Sequence, residues 1–162
     1  MPSNQFDEIL KTFQTQRDEL ICKLVSFVAS DTILFLPKGS GSEDKIKLAN
    51  EILGSRFIAT DGIEVLEQNL SCAEKVKVYL DNCPVKKQVF IYLAATELRS
   101  VLSAVLMAEK KIHMEDAIKL SFYEELSQQK AWGVMPEAEN RHQAIKSQLK
   151  ALEWWFDERS IS

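Results

Sequence analysis

The chain has 162 residues, 46% of them hydrophobic and 27% charged, with 24 acidic and 20 basic side chains and a formal net charge of −4. Length and apolar content suit one globular unit, which at this size buries roughly 70% of its unfolded surface. The expected organisation is a single helical domain over residues 1–162. No basic stretch or net basic charge is present, which argues against DNA or RNA as a partner.

Only 5 Gly and 4 Pro occur, so turns are scarce and long helices are favoured over many short strands. The predicted fold is mainly α, with about six helices and a small two-stranded β ribbon at about residues 32–36 and 56–59. Cys22, Cys72 and Cys83 are odd in number and form no CxxC pair, so buried free thiols in a reducing compartment are expected. The N-terminus is acidic and amphipathic, unlike a secretion signal or an Arg-rich presequence.

In chain order, the spacing of Phe6, Ile9, Leu10, Phe13, Leu20, Ile21, Leu24 and Val28 predicts a helix over residues 4–29. The polar run 14–18 marks a break or bend within it. Asp31 precedes the β-like run 32–36, which Pro37 and the Gly39 to Ser42 loop stop. A helix over 43–53 ends at Gly54, suited to a left-handed cap. Residues 57–59 look extended, and Asp61-Gly62 makes a turn. Ser71 and Glu74 have capping-box spacing for a helix reaching residue 82. Pro84 starts a central helix over 84–109, apolar on most sides. Glu97 and Arg99 lie inside the apolar stretch 89–108, and such groups cost about 2.5–3.5 kcal/mol each at a bilayer centre. No stable membrane insertion is therefore expected. A helix over 114–131, closed by Gly133, and a last helix from Pro136 past Trp154 complete the chain.

Catalytic constellations are missing. His113 and His142 stand alone in the sequence and read as cap or surface residues. No glycine-rich phosphate loop or metal-ligand spacing occurs, so no cofactor, metal or enzymatic activity is predicted. Asp31, Asp61 and Asp81 sit at element ends, as caps or turn residues do.

The penultimate helix is the informative segment. At ~100° per residue, Glu125 falls between Met114 and Ile118, and Glu124 beside Ala117, on the face that should be apolar. A buried carboxylate needs a partner, a raised pKa or a place at the rim of a groove. Either one of the pair bonds internally, with Arg99 as a candidate, or both line a surface that selects a basic partner. Trp132 is either a core plug or an interface anchor. Trp154, Trp155 and Phe156 are consecutive, so one helix face cannot bury all three, and an exposed apolar patch or a folded-back terminus is expected.

These residues resemble a known family, the assembly chaperones that protect the alpha subunit of F-type ATP synthase (the Atp-twelve family). Glu124-Glu125, Gln128 and Trp132-Gly133 are similar to its acidic pair, glutamine-bearing stretch and Trp-Gly signature. Arg17-Asp18-Glu19 through Asp31-Thr32-Ile33-Leu34-Phe35 resembles its upstream helix and following strand. Arg56-Phe57 with Thr60-Asp61-Gly62-Ile63, and Ile112 with Glu115, Asp116 and Ala117, resemble two further segments in the right order.

The resemblance implies a monomeric, non-enzymatic chaperone that binds the unassembled alpha subunit and masks its beta-contacting surface, with Glu124, Glu125, Trp132 and Gly133 as partner-binding residues. The match is to the family's helical part; its β-rich N-terminal domain has no room here. Residues 134–139 follow the bacterial style, so a bacterial cytoplasm is expected rather than a mitochondrial matrix. The alternative is a helical interaction or regulatory module that kept the fold but not the client.

Overall fold

The computed structural model describes residues 2–28, 31–36, 40–57, 70–123, 125–126, 133 and 136–159. Among them are seven α-helices, one 3-10 turn and no strand. The first helix, α1, spans Pro2–Phe27 and buries Phe6, Phe13, Ile21 and Leu24. It kinks at Gln16 (φ −123°, ψ 27°), inside the polar run where a break was expected. No apolar anchor holds that stretch straight, and the Arg17 guanidinium instead donates to the Asp81 carbonyl at 2.6 Å.

The predicted β ribbon does not form. Thr32–Phe35 is a 3-10 turn whose N-cap is Asp31; its carboxylate accepts from the Ile33 N–H at 3.2 Å. Ile33 and Leu34 are adjacent and both fully buried, which a half-exposed strand with alternating faces cannot achieve. Burial has overridden β-propensity. The second predicted strand is also absent at Arg56 and Phe57, while residues 58–59 lie outside the described residues. Phe57 is held by a side chain instead of a partner strand. Asn50 accepts from its N–H and donates to its carbonyl, at 2.8 and 2.9 Å.

That asparagine belongs to α2, Ser42–Leu53, which buries Ile46, Ala49 and Leu53. Gly54 caps it at φ +69°, its N–H donating to the Asn50 carbonyl at 2.8 Å. Next comes α3, Leu70–Asp81. It already contains Ser71, so that residue does not stand ahead of the helix as a capping box requires.

The expected helix over 84–109 is two helices. Pro84 is the N-cap of α4, Val85–Leu98, and α5 follows as Val101–Ala108. Between them Arg99 is left-handed (φ 56°, ψ 30°) and Ser100 extended. The Ser100 hydroxyl caps α5 by accepting from the Ser103 N–H at 3.0 Å, and it donates to Asp31 at 2.6 Å. The second Asp31 oxygen accepts from the Leu102 N–H at 2.9 Å. A carboxylate distant in sequence thus satisfies the free donors of a new helix start. All eight residues of α5 are buried, making it the centre of the core. Around it, α4 packs on α1, α5 and the C-terminal helix.

The sixth helix, α6, is Met114–Ser121, shorter than the expected 114–131. Phe122 leaves the regular path, and the Leu126 N–H donates to the Phe122 carbonyl at 2.9 Å in one further turn. Residues 127–131 lie outside the described residues. The last helix, α7, is Pro136–Arg159. Its aromatic run is divided by helical geometry. Trp155 is buried against Phe6 with its indole N–H donating to Asp7 at 3.0 Å, Phe156 stacks on Phe90, and Trp154 is 57% exposed. Among the cysteines Cys72 is buried and Cys83 half-buried, but Cys22 is exposed, contrary to expectation. No helix of the described residues is long and apolar enough to cross a membrane.

Candidate functional site

The predicted site falls where α6 meets α7. These two helices run antiparallel, since Glu115 pairs with Lys146 at 3.2 Å while Glu125, further along, meets Arg141 and His142. Phe122 supplies the apolar floor: it is buried, and its ring lies 4.9 Å from the His142 imidazole. The turn after Phe122 carries Glu125 out over that floor.

The Glu125 carboxylate is grasped from two sides. Arg141 Nη2 donates to both carboxylate oxygens at 2.8 Å, and His142 Nε2 lies 2.8 Å from Oε2. Burial alone would raise its pKa, but the hydrogen bonds from Arg141 and His142 outweigh that and hold it below its ordinary value. The group is therefore ionised at neutral pH. Its lone pairs are engaged by Arg141 and His142, so it is poorly placed to act as a general base.

The side chains of Glu125 and Arg141 are 37% and 50% exposed, whereas that of His142 is only 13% exposed. The cluster thus has an inner imidazole resting on an aromatic ring and an outer edge of alternating charge facing solvent. The predicted internal partner, Arg99, is not among the groups on this carboxylate; Arg141 and His142 take that place. Gly133 is exposed with φ +92°, and the end of the helix it was expected to close lies outside the described residues. Glu124 and Trp132 lie outside the described residues.

Sequence reasoning missed Arg141 and His142. His142 is not a solitary surface residue but the least exposed member of the cluster. No local signal could have found them, because their place beside Glu125 depends on how α7 returns past α6. The other histidine, His113, is the N-cap residue of α6 and makes no side-chain capping bond. Among the described residues no group of three or more His, Cys, Asp or Glu side chains could hold a metal ion.

No family profile matches the chain, and no curated protein matches it in sequence. Solved structures do match in shape. Atp12 from Paracoccus denitrificans superposes with a TM-score of 0.80 at 18% identity, covering 90% of this chain and 66% of that one. The chain has the fold of Atp12. A mutant of the same P. denitrificans Atp12p gives the same values. A protein of Agrobacterium tumefaciens described as a candidate chaperone matches with a TM-score of 0.77 at 18% identity, over 90% of this chain and 58% of that one. The present chain thus spans about two thirds of the Paracoccus Atp12 and rather less of the Agrobacterium protein. The expected resemblance holds at the level of the fold.

Proposed function

We propose that this chain is an assembly chaperone of F-type ATP synthase that binds the unassembled alpha subunit and masks its beta-contacting surface. The observation that carries the reading is the likeness to Atp12 over 90% of the chain, taken with the acidic pair and Trp-Gly pattern of the sequence. The working surface is assigned to Glu124, Glu125, Trp132 and Gly133, of which Glu125 is the one held by Arg141 and His142. The protein acts as a monomer in a bacterial cytoplasm, by binding and not by catalysis.

Elementary energetics explain why such a protein is useful. Subunits that form permanent assemblies have large apolar interfaces, and exposure of such a patch before assembly invites self-association. A cover for it needs no nucleotide and no covalent chemistry. It does need a way to choose its client and to let go. An ion cluster at the rim gives selectivity and register without adding much affinity, because rim charges are solvated and screened.

The test is capture of isolated alpha and beta subunits on the immobilised chain. Alpha should be retained and beta should not; equal retention of both removes the alpha-specific claim. One rival is an interaction or regulatory module without this client. Co-expression separates them, because the chaperone keeps the alpha subunit soluble and the rival does not.

A further inference from the structure

Of Glu125, Arg141 and His142, the side chain with hydrogen-bonding capacity to spare is Arg141. One nitrogen, Nη2, makes both of its bonds, to Oε1 and Oε2 of Glu125 at 2.8 Å. A guanidinium has further N–H donors on Nη1 and Nε, and these meet no acceptor among the described residues. Glu125 is nearer saturation. Both of its oxygens accept from Arg141, and Oε2 also lies 2.8 Å from His142 Nε2. Exposure runs the same way: the Arg141 side chain is 50% exposed, against 37% for Glu125 and 13% for His142.

We infer that Arg141 reads the partner directly, and that the group it reads is a carboxylate on the client protein, bound by the guanidinium donors that Glu125 leaves free. Glu125 and His142 then act through Arg141 as positioning residues. A long side chain on a bare surface loses rotamer freedom when a partner fixes it, whereas one already tied to a carboxylate has lost part of that freedom beforehand. The tie is itself supported from inside, because His142 holds Oε2 while its ring rests 4.9 Å from the buried Phe122 ring. Hydrogen bonds between a guanidinium and a carboxylate are roughly twice as strong as neutral ones, so an acid is favoured over an amide or a carbonyl. A basic client group would meet the like charge of Arg141, the most exposed of the cluster. The sign is the opposite of the basic partner that a carboxylate at 125 suggests by itself.

This inference rests on the chaperone reading and names a client group for the same surface. The test is titration of isolated alpha subunit against the immobilised full chain, as wild type and as three variants. Arg141→Gln keeps hydrogen-bond donors but loses the charge, and it weakens capture about fivefold, the loss expected of one solvated ion pair. Arg141→Lys keeps the charge and retains more affinity than Arg141→Gln. Glu125→Gln loosens the guanidinium without removing it, and costs less affinity than Arg141→Gln. Both side chains are partly solvated, so all three variants keep the wild-type helical far-UV signal.

Wild-type affinity in Arg141→Gln overturns the proposal. Equal losses in the Lys and Gln variants overturn it too, because the positive charge is then not what the client meets. A larger loss in Glu125→Gln than in Arg141→Gln returns the contact to the carboxylate and has the same effect. Failure at Arg141 is distinguishable from failure of the chaperone reading. In the first case wild type still captures the alpha subunit; in the second it does not, and the client carboxylate falls with it.

Discussion

The Ser100 hydroxyl donates a 2.6 Å hydrogen bond to the carboxylate of Asp31, a residue 69 positions earlier in the chain. With the Leu102 and Ile33 N–H groups on the same carboxylate, this single side chain fixes both the 3-10 turn and the start of α5. Asp31→Ala would leave two buried backbone donors without an acceptor. The expected loss is about 2–4 kcal/mol of unfolding free energy, read from urea denaturation. A loss under about 1 kcal/mol would show that the helix break is held by packing alone.

The same carboxylate makes stability depend on pH. Burial pushes the Asp31 pKa up from 3.8 to about 6, despite the hydrogen bonds it accepts. The folded state therefore binds the proton more tightly than the unfolded chain. Its contribution is fully present below pH 3.8 and is lost as pH rises through about 6. The gap corresponds to about 3 kcal/mol. Asp31→Asn removes this titration while leaving Glu109 and Glu125, whose pKa values move the opposite way, unchanged. Relative to that variant, wild type should gain about 2 kcal/mol between pH 7 and pH 4 in equilibrium denaturation. A flat difference across that window contradicts the burial argument.

Neighbouring tryptophans on α7 should respond oppositely to truncation. Trp155 is 1% exposed, packs on Phe6 and donates to Asp7, so Trp155→Ala should cost about 3–5 kcal/mol. Trp154 is 57% exposed, and Trp154→Ala should change stability by no more than about 0.5 kcal/mol. Thermal melts of the two variants decide it. Similar losses would mean that α7 is docked through the other face.

At Glu125 the proposed client-binding role can be separated from a structural one. The ion cluster is partly solvated, so Glu125→Gln should cost no more than about 1 kcal/mol of stability. Glu125→Lys places a positive group beside Arg141 and removes the acceptor that Arg141 and His142 share. The expectation is an intact helical far-UV signal with capture of the alpha subunit reduced at least several-fold. Unfolding of the Lys variant would assign Glu125 to the fold instead.

Much of this architecture could be read from local chemistry. Gly54 announced the end of α2, Pro136 the start of α7, and the polar run near Gln16 the kink in α1. What stayed hidden depends on distant partners. Nothing around Arg99 and Ser100 signals a helix break until Asp31 is brought alongside. Thr32–Phe35 has strand-like composition, yet its backbone curls because Asp31 caps it and the core takes both Ile33 and Leu34. At the candidate site, the helical phase that put Glu125 on an apolar face is broken at Phe122, and the carboxylate is partly exposed and paired with Arg141 and His142. The sequence could not name those partners, because a one-dimensional pattern carries no information on how α7 returns past α6. Glu124 and Trp132 remain proposals on sequence grounds.

The division between α4 and α5 also matters while the chain is being synthesised. Residues 89–108 as one uninterrupted helix would reach about 30 Å, enough to match the hydrocarbon thickness of a bilayer. The two helices that share it, α4 of 14 residues and α5 of 8, are only about 21 and 12 Å long. Asp31 leaves the ribosome long before Ser100, so the acceptor for the break is already waiting when the apolar stretch emerges. Neither piece of this greasiest segment is then long enough to span a bilayer by itself.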